Sequence, residues 1–276
     1  MYIHKNKVKK NFSAAAASYD RRSGLQFTIS RELLSFLGRP RAHRIIDIGS
    51  GTGRLLDCLV ELFPGAELHG FDLAYGMVRQ SREMKPMDSC GRTGETRSAF
   101  FLQADAEKLP YRSASFDLVL SNAVYQWIPD LTGAFQEVYR ILKPKGIFCF
   151  STFREGTLAE LNSSFHMAYR KLNFEAGQRH VQSFPTSRDL ADSLEKSGFS
   201  SLALKERTML QYYPDAWSLI RHLKAAGASK AIPHPFPGLG GRKIIEEMIN
   251  SYHRHFQNGK GIQATYQIVL ARGERQ

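Results

Sequence analysis

A repeated alternation of strand-like and helix-like segments constrains the fold of this chain more than any other feature. The first repeat is an apolar strand at 44–48, a glycine-rich turn at 49–53 and an amphipathic helix at 54–63. Further strands are predicted at 67–71, 100–102, 116–120 and 147–152, with helices at 74–84 and 131–142. This order predicts an α/β fold in which a doubly wound, mostly parallel sheet carries helices on both faces.

The C-terminal part extends this pattern less regularly. Two strands, at 200–209 and 265–271, bring the predicted sheet to seven strands, and helical stretches at 215–226 and 242–256 lie between them. We therefore expect one domain over residues 1–276 with a helical insertion before the last strand. Its expected parts are an N-terminal helical lid at 1–43, a cofactor-binding half at 44–152, a substrate-side half at 153–209, a helical cap at 210–262 and the final strand at 263–276.

Composition excludes several classes of protein. The longest apolar runs fall short of the roughly 18 residues that a membrane-spanning helix needs. The three cysteines, Cys58, Cys90 and Cys149, are too widely spaced for a zinc site and odd in number, which disfavours a disulfide framework. A reducing cytoplasm is the expected location, with no structural metal and no membrane.

Positive charge is concentrated at the N-terminus. The chain has 38 Lys and Arg against 26 Asp and Glu, a net charge of +12. Residues 1–44 contain ten basic and two acidic side chains, a net charge of +8. Such a field attracts an acidic partner or simply keeps a helix surface solvated. Nucleic acid is disfavoured because aromatic side chains suited to base stacking are sparse here.

The glycine-rich turn predicts a ligand site. Gly49, Gly51 and Gly53 allow a tight turn and close approach of a ligand, and the helix that follows offers unpaired N–H groups. Arg54 stands where a dinucleotide-binding fingerprint has its third glycine. Taken alone, the turn is weak evidence, because a glycine-rich turn also occurs in a purely structural role.

Acidic residues at three strand ends indicate which ligand the turn would bind. Asp47 lies at the end of the first strand, Asp72 at the end of the second, and Asp105 just after the third. Asp72 is placed to accept hydrogen bonds from ribose hydroxyls, and Asp105 from an adenine amino group. Because no cation suited to a pyrophosphate accompanies them, a nicotinamide reductase is disfavoured.

These segments together resemble the class I S-adenosylmethionine-dependent methyltransferases over residues 44–152, with Ser50 at a position that often holds Cys. The resemblance implies a Rossmann-like fold, S-adenosyl-L-methionine as methyl donor, S-adenosyl-L-homocysteine as product and no metal. The donor-binding residues that it implies are Asp47, Gly49, Ser50, Gly51, Gly53, Asp72, Leu73, Asp105, Ala106 and Asn122.

The ends of the chain resemble one branch of that class, the malonyl-[acyl-carrier protein] O-methyltransferases of biotin synthesis. The segments that carry this resemblance are 8–20, 150–161, 184–186, 223–228 and 264–269. It implies methylation of the free carboxylate of a malonyl thioester on an acyl-carrier protein, which starts pimeloyl assembly. Catalytic roles are implied for Tyr19, Asn122, Arg154 and Arg179, and His180 and Lys224 are further candidates for holding the carboxylate.

Two features leave alternatives open. Val8, Phe12, Ala15 and Tyr19 form an apolar stripe at helical spacing, which predicts a lid over the cofactor or mere packing on the sheet. The rival functions are methylation of RNA or of a small quinone-type molecule, and a non-enzymatic cofactor-binding module. Retention of the three acids and the glycine turn argues against the module.

Overall fold

The computed structural model describes residues 5–83, 99–174, 182–225 and 239–276. Their contacts divide the chain into two compact units. We call the larger one, within residues 2–152, 185–206 and 269–276, the sheet unit. The smaller one, within residues 153–184 and 207–268, is the cap unit.

Helices and strands alternate through the first part of the sheet unit. In chain order they are α1 (Lys5–Tyr19), α2 (Gly24–Leu37), β1 (Arg44–Ile48), α3 (Arg54–Leu62), β2 (Glu67–Asp72), α4 (Tyr75–Glu83), β3 (Ala99–Gln103), β4 (Phe116–Asn122), α5 (Leu131–Ile141) and β5 (Leu142–Phe153). The elements that follow are α6 (Ala159–Lys171), α7 (Ser187–Lys196), β6 (Phe199–Tyr213), α8 (Ala216–Ala225), α9 (Leu239–Phe256), β7 (Gln257–Asn258) and β8 (Gly261–Arg275).

The sheet has the strand order β3-β2-β1-β4-β5-β8-β6, and β7 pairs antiparallel with β8. The pairs β1–β2, β1–β4, β2–β3 and β4–β5 are parallel. The order reverses at β1, because β2 lies on one side of this strand and β4 on the other. Ligands bind outside the carboxyl ends of the strands at such a reversal, so the topology alone locates the candidate site.

Burial explains why these segments form the sheet. Residues 45–48 of β1 are buried, as a strand covered on both faces requires. The helix α5 turns Ala134, Phe135, Val138 and Ile141 toward the core and begins at Asp130, whose side chain accepts from Gly133 N at 3.0 Å. Phenylalanines of β5 fill the same core cluster.

The cap unit is built around α6 and α9, which pack against each other. Lys171 of α6 pairs with Glu247 of α9 at 2.8 Å, and Tyr252 donates to Gln263 O at 2.7 Å. Buried Glu160 accepts from the backbone N–H of Thr265 at 3.0 Å and from its hydroxyl. These hydrogen bonds join the helices of the unit to the first part of β8.

The predicted fold class is confirmed, including the helices before the last strand. Strand lengths differ from the prediction: β6 continues to Tyr213 and β8 begins at Gly261, so both extend into the range 210–262 that was expected as a helical cap. The helix α6 was not predicted. Among the helices that are described, none is long and apolar enough to cross a bilayer.

Candidate active site

An open cleft of about 740 Å³ lies at the carboxyl ends of the central strands of the sheet unit. Residues from the ends of the first four predicted strands line it, including Gly49, Asp72, Asp105 and Asn122. The cleft therefore lies at the edge of the sheet that both the strand order and the sequence pattern predict.

The turn after β1 needs its glycines. Gly49, Gly51 and Gly53 have φ angles of 71°, 55° and 88°, in the left-handed region. A Cβ at Gly49 would also overlap the side chain of Val124, whereas one at Gly51 would meet only Tyr19 at 3.9 Å. The space beside Gly51 is thus open toward the cleft, and Gly53 caps the start of α3.

Asp72 at the end of β2 holds the turn in place. Its carboxylate accepts from Gly51 N at 3.0 Å and from Ala74 N at 2.8 Å. Burial nevertheless raises the pKa of Asp72 to about 6, and the two backbone N–H groups only partly oppose this rise. The neighbouring residue Leu73 also lines the cleft. A carboxylate aimed at the cleft in this setting favours a ligand that donates hydrogen bonds to it.

The far end of the cleft contains an ion pair that the sequence did not reveal. Lys5 of α1 contacts both carboxylate oxygens of Asp105, at 3.0 and 2.8 Å, and also pairs with Glu107. Asp105 accepts in addition from Glu107 N at 3.0 Å, and Ala106 is buried beside it. The side chain of Lys5 therefore points into the cleft instead of out to solvent.

The helix α1 covers the cleft as the apolar stripe predicts. Phe12 and Tyr19 pack on a small core formed by Ala16, Ala74 and Met77. The ring of Phe12 also lies 5.8 Å from that of Trp127 in an edge-to-face arrangement. Packing on the sheet unit and covering the cleft are thus two consequences of the same contacts.

Tyr19, at the end of this helix, is a second polar group that α1 brings to the cleft besides Lys5. Burial raises the pKa of Tyr19 well above its ordinary value, and the carboxylates of Asp72 and Asp20 raise it further. The phenol consequently remains protonated and is available as a hydrogen-bond donor.

A second pocket of about 460 Å³ shares Tyr19, Gly49, Gly51 and Asn122 with the cleft; we call it the inner pocket. The residues that line only the inner pocket include Asp20, Gln26, Asp47, Ser50, Thr52 and Arg54. Asp47 is 1% exposed, and the hydroxyl of Thr52 donates to Asp20 at 2.6 Å.

Asn122 is held between two elements at the junction of the cleft and the inner pocket. Its Nδ2 donates to the backbone oxygen of Gln26 at 2.9 Å, and its Oδ1 accepts from the hydroxyl of Ser151 at 2.6 Å. The amide orientation is therefore fixed by α2 on one side and by β5 on the other.

Most predicted site residues thus lie together in the sheet unit, whereas the candidate carboxylate-binding cations belong to the cap unit or lie outside the described residues. Arg154 lies in the cap unit, where its Nη2 donates to Gln267 at 3.2 Å. Lys224 is an exposed residue of α8 in the same unit. Arg179 and His180 lie outside the described residues. Within the part of the chain that is described, no three metal-ligating side chains cluster.

Several lining residues were missed from the sequence. Val124, Trp127 and Ile128 follow β4 and line the cleft, and Gln26 and Asp20 precede β1 and line the inner pocket. The first three carry a weak signal, because residues directly after a central strand end belong to the ligand-binding edge. Gln26 carries none, since a polar residue in the first turn of a helix is ordinary.

Comparison with known proteins assigns the class of the chain. Residues 46–150 match the methyltransferase domain family. The crystal structure of YcgJ from Bacillus subtilis has the same fold, with a TM-score of 0.59 at 16% sequence identity over 91% of this chain and 99% of that one. Cleft, turn and sheet order are thus those of a methyltransferase domain.

Two curated relatives narrow this class. The malonyl-[acyl-carrier protein] O-methyltransferase of Geobacter sulfurreducens is 36% identical over 275 residues, which cover 99% of this chain and 100% of that protein. The biotin biosynthesis bifunctional protein BioHC of Cellvibrio japonicus is 32% identical over 267 residues, 96% of this chain and 49% of that protein. The chain belongs to the malonyl-[acyl-carrier protein] O-methyltransferase family.

Proposed function

We propose that this enzyme transfers a methyl group from S-adenosyl-L-methionine to the free carboxylate of a malonyl group on an acyl-carrier protein. The observation that carries the proposal is 36% identity over nearly the full length to a relative named for this reaction, combined with acidic residues at three strand ends that line the cleft and the inner pocket. The methyl ester would prime pimeloyl synthesis for biotin. The free thiols Cys58 and Cys149 suit a cytoplasmic enzyme.

The lining residues fit this donor. Asp72 offers acceptor oxygens for ribose hydroxyls, and the open space beside Gly51 admits a ligand close to the backbone. Asp105 and the Ala106 backbone stand at the end that would take adenine, beneath Lys5. Asp47 in the inner pocket supplies negative charge for an ammonium group. Leu73, Ser50 and Gly53 would complete the binding turn.

Methyl transfer depends on alignment of the carboxylate with the methyl donor more than on acid–base catalysis. When bound, S-adenosyl-L-methionine supplies a methyl group on a sulfonium, and its loss leaves a neutral thioether. A malonyl carboxylate is ionised at neutral pH and needs no general base. Fixing reacting groups in line and excluding water contributes up to about 7–11 kcal/mol in well-aligned systems.

Protein groups would orient the carboxylate. The protonated hydroxyl of Tyr19 would donate to one of its oxygens, and the rigidly held Asn122 would limit movement at the reacting centre. A cation is needed to balance the negative charge of the malonyl carboxylate, and we propose Arg154 and Arg179 for this role. A single hydrogen bond to the second oxygen would position the carboxylate while leaving the attacking oxygen free.

The loss of negative charge on methylation explains how this reaction would serve biosynthesis. A free carboxylate entering an apolar acyl channel is costly unless it is paired. The ester removes this charge, so enzymes that elongate acyl chains would accept the product as an ordinary primer.

The test is mass spectrometry of malonyl-acyl-carrier protein after incubation with the enzyme and donor. We expect the mass to rise by one CH2 unit, because a methyl group replaces the acid proton, and we expect an esterase that leaves the thioester intact to reverse this change. Acetyl-acyl-carrier protein, which has no free carboxylate, is the matched control and should not change. Methylation of RNA or of a quinone-type molecule, with no change in the malonyl carrier, would refute the proposal. Binding of the donor without any transfer would favour a non-enzymatic module.

A further inference from the structure

The inner pocket contains a buried acceptor that its protein surroundings leave unsatisfied. The side-chain oxygen Oε1 of Gln26 is shielded from solvent, and among the described residues no donor lies within hydrogen-bonding distance of it. A buried carbonyl oxygen without a donor is unfavourable, and folded proteins rarely retain one without a reason. Gln26 lines the inner pocket, so a ligand bound there is a source of the missing donor once the side chain turns toward it.

The backbone of Gln26 is held at a defined position. Leu25, Ile29 and Leu33 of α2 are buried in the sheet unit, which fixes the rotation of the helix. The main-chain oxygen of Gln26 then accepts from Asn122 Nδ2 at 2.9 Å. These contacts place its side chain in the inner pocket beside the turn after β1.

The chemistry of the inner pocket indicates which group it would hold. An amide oxygen and the carboxylate of Asp47 both accept hydrogen bonds, which suits a group with several N–H donors and a positive charge. Arg54, whose guanidinium stacks 4.8 Å from the ring centre of Phe27, lines the same pocket and brings the opposite charge. A pocket with both signs fits a zwitterionic amino acid.

We propose that Gln26 Oε1 accepts a hydrogen bond from the α-ammonium group of the donor's methionine portion, next to Asp47. This inference rests on the proposed function, which names the donor. It gives Gln26 two tasks, because its backbone holds Asn122 at the reacting centre while its side chain binds the donor. Helix α2 thereby becomes part of the donor site, although it precedes the glycine turn in the chain.

Calorimetry with two ligands tests this role. S-adenosyl-L-homocysteine carries the ammonium group, and its deamino analogue lacks only that group. We expect Gln26→Leu to weaken binding of S-adenosyl-L-homocysteine about tenfold or more, since a hydrogen bond to a charged group is lost. Affinity for the deamino analogue should stay within about twofold, which also shows that the variant is folded.

Two further variants sharpen the test. Gln26→Glu keeps an acceptor at this position. It should restore most of the affinity for S-adenosyl-L-homocysteine that Gln26→Leu loses. Thr28→Ala changes an exposed residue of the same helix and should alter neither affinity. Rescue by Glu separates hydrogen bonding from packing.

The contrary outcomes are distinct. If Gln26→Leu weakens both ligands equally, or weakens neither, Gln26 does not bind the ammonium group and the inference is overturned while the donor assignment stands. If the wild-type enzyme binds neither ligand, the donor assignment itself fails and the inference fails with it.

Discussion

Donor affinity should depend on pH through Asp72. In the donor-free protein burial raises the pKa of this carboxyl group to about 6. At pH 7 it is then about nine-tenths ionised, and at pH 5 about one-tenth. Only the ionised form of Asp72 would accept hydrogen bonds from both ribose hydroxyls of the donor, because a proton on one carboxyl oxygen would prevent one of these bonds. We therefore expect S-adenosyl-L-homocysteine to bind about tenfold more weakly at pH 5 than at pH 7.

The same titration affects folding stability, with a sign that follows from the raised pKa. A carboxyl group that holds its proton more tightly when folded stabilises the fold below its ordinary pKa, and this contribution disappears as the pH rises through 6. The rise from the ordinary value of 3.8 to about 6 corresponds to about 3 kcal/mol. The donor-free protein should lose stability of this order between pH 4 and pH 7 because of Asp72 alone.

Asp72→Asn is the control that isolates this group. The variant should bind S-adenosyl-L-homocysteine weakly at every pH, with a much flatter profile between pH 5 and 7. Urea unfolding is measured without ligand. The free energy of unfolding of Asp72→Asn should increase relative to that of the wild type as the pH rises from 4 to 7. A wild-type affinity that is constant from pH 5 to 7, or a profile that Asp72→Asn leaves unchanged, would refute the reasoning.

Three further predictions concern other parts of the site. Gly49→Ala should lower the midpoint of thermal unfolding, because a left-handed residue with a Cβ costs about 1–2 kcal/mol and the added methyl overlaps Val124; an unchanged midpoint would show that the turn relaxes freely. Tyr19→Phe should spare donor affinity but lower kcat, and equal turnover would reduce Tyr19 to a packing role. Lys9→Glu with Lys10→Glu should raise KM for malonyl-acyl-carrier protein, most strongly at low salt, and leave KM for a short malonyl thioester unchanged. An equal rise for both substrates would mean that the exposed face of α1 is not a docking face.

The arrangement of the strand ends was predictable because it depends on short segments and one geometric rule. Each strand that ends at Asp47 or Asp72 is a local apolar run, and carboxyl ends of parallel strands meet at one edge of a sheet. No knowledge of distant contacts was needed to bring these acids together with Asn122. The meeting of Asp72 and Asn122 in the cleft, with Asp47 in the inner pocket, therefore follows from the alternation itself.

The limits of the cap were harder to predict, although one signal was present. Ile262, Ala264, Tyr266 and Ile268 alternate along β8 and are buried, while the residues between them are less buried. This period of two marks a half-buried strand that starts well before 265. Proximity to the helical segment obscured it, because a short alternating stretch next to a helix is compatible with either structure.

Contacts between distant side chains left no periodic signal at all. Gln26 and Asn122 are joined by a hydrogen bond across 96 positions of the chain. Nothing in the composition of either segment distinguishes this pair from other polar residues. Such contacts depend on how α2 is placed against the strand ends, which only the folded structure determines.

Lys5 shows why net charge is a weaker guide than the direction of each side chain. It counts toward the +8 of residues 1–44, yet it pairs with Asp105 and Glu107 inside the cleft and adds little to an external field. Lys9 and Lys10 lie on the same helix and are exposed. Lys5 is thus paired at one end of the cleft, whereas Lys9 and Lys10, further along the same helix, are exposed and available to an acidic partner. The sum of charges cannot distinguish a paired lysine from an exposed one.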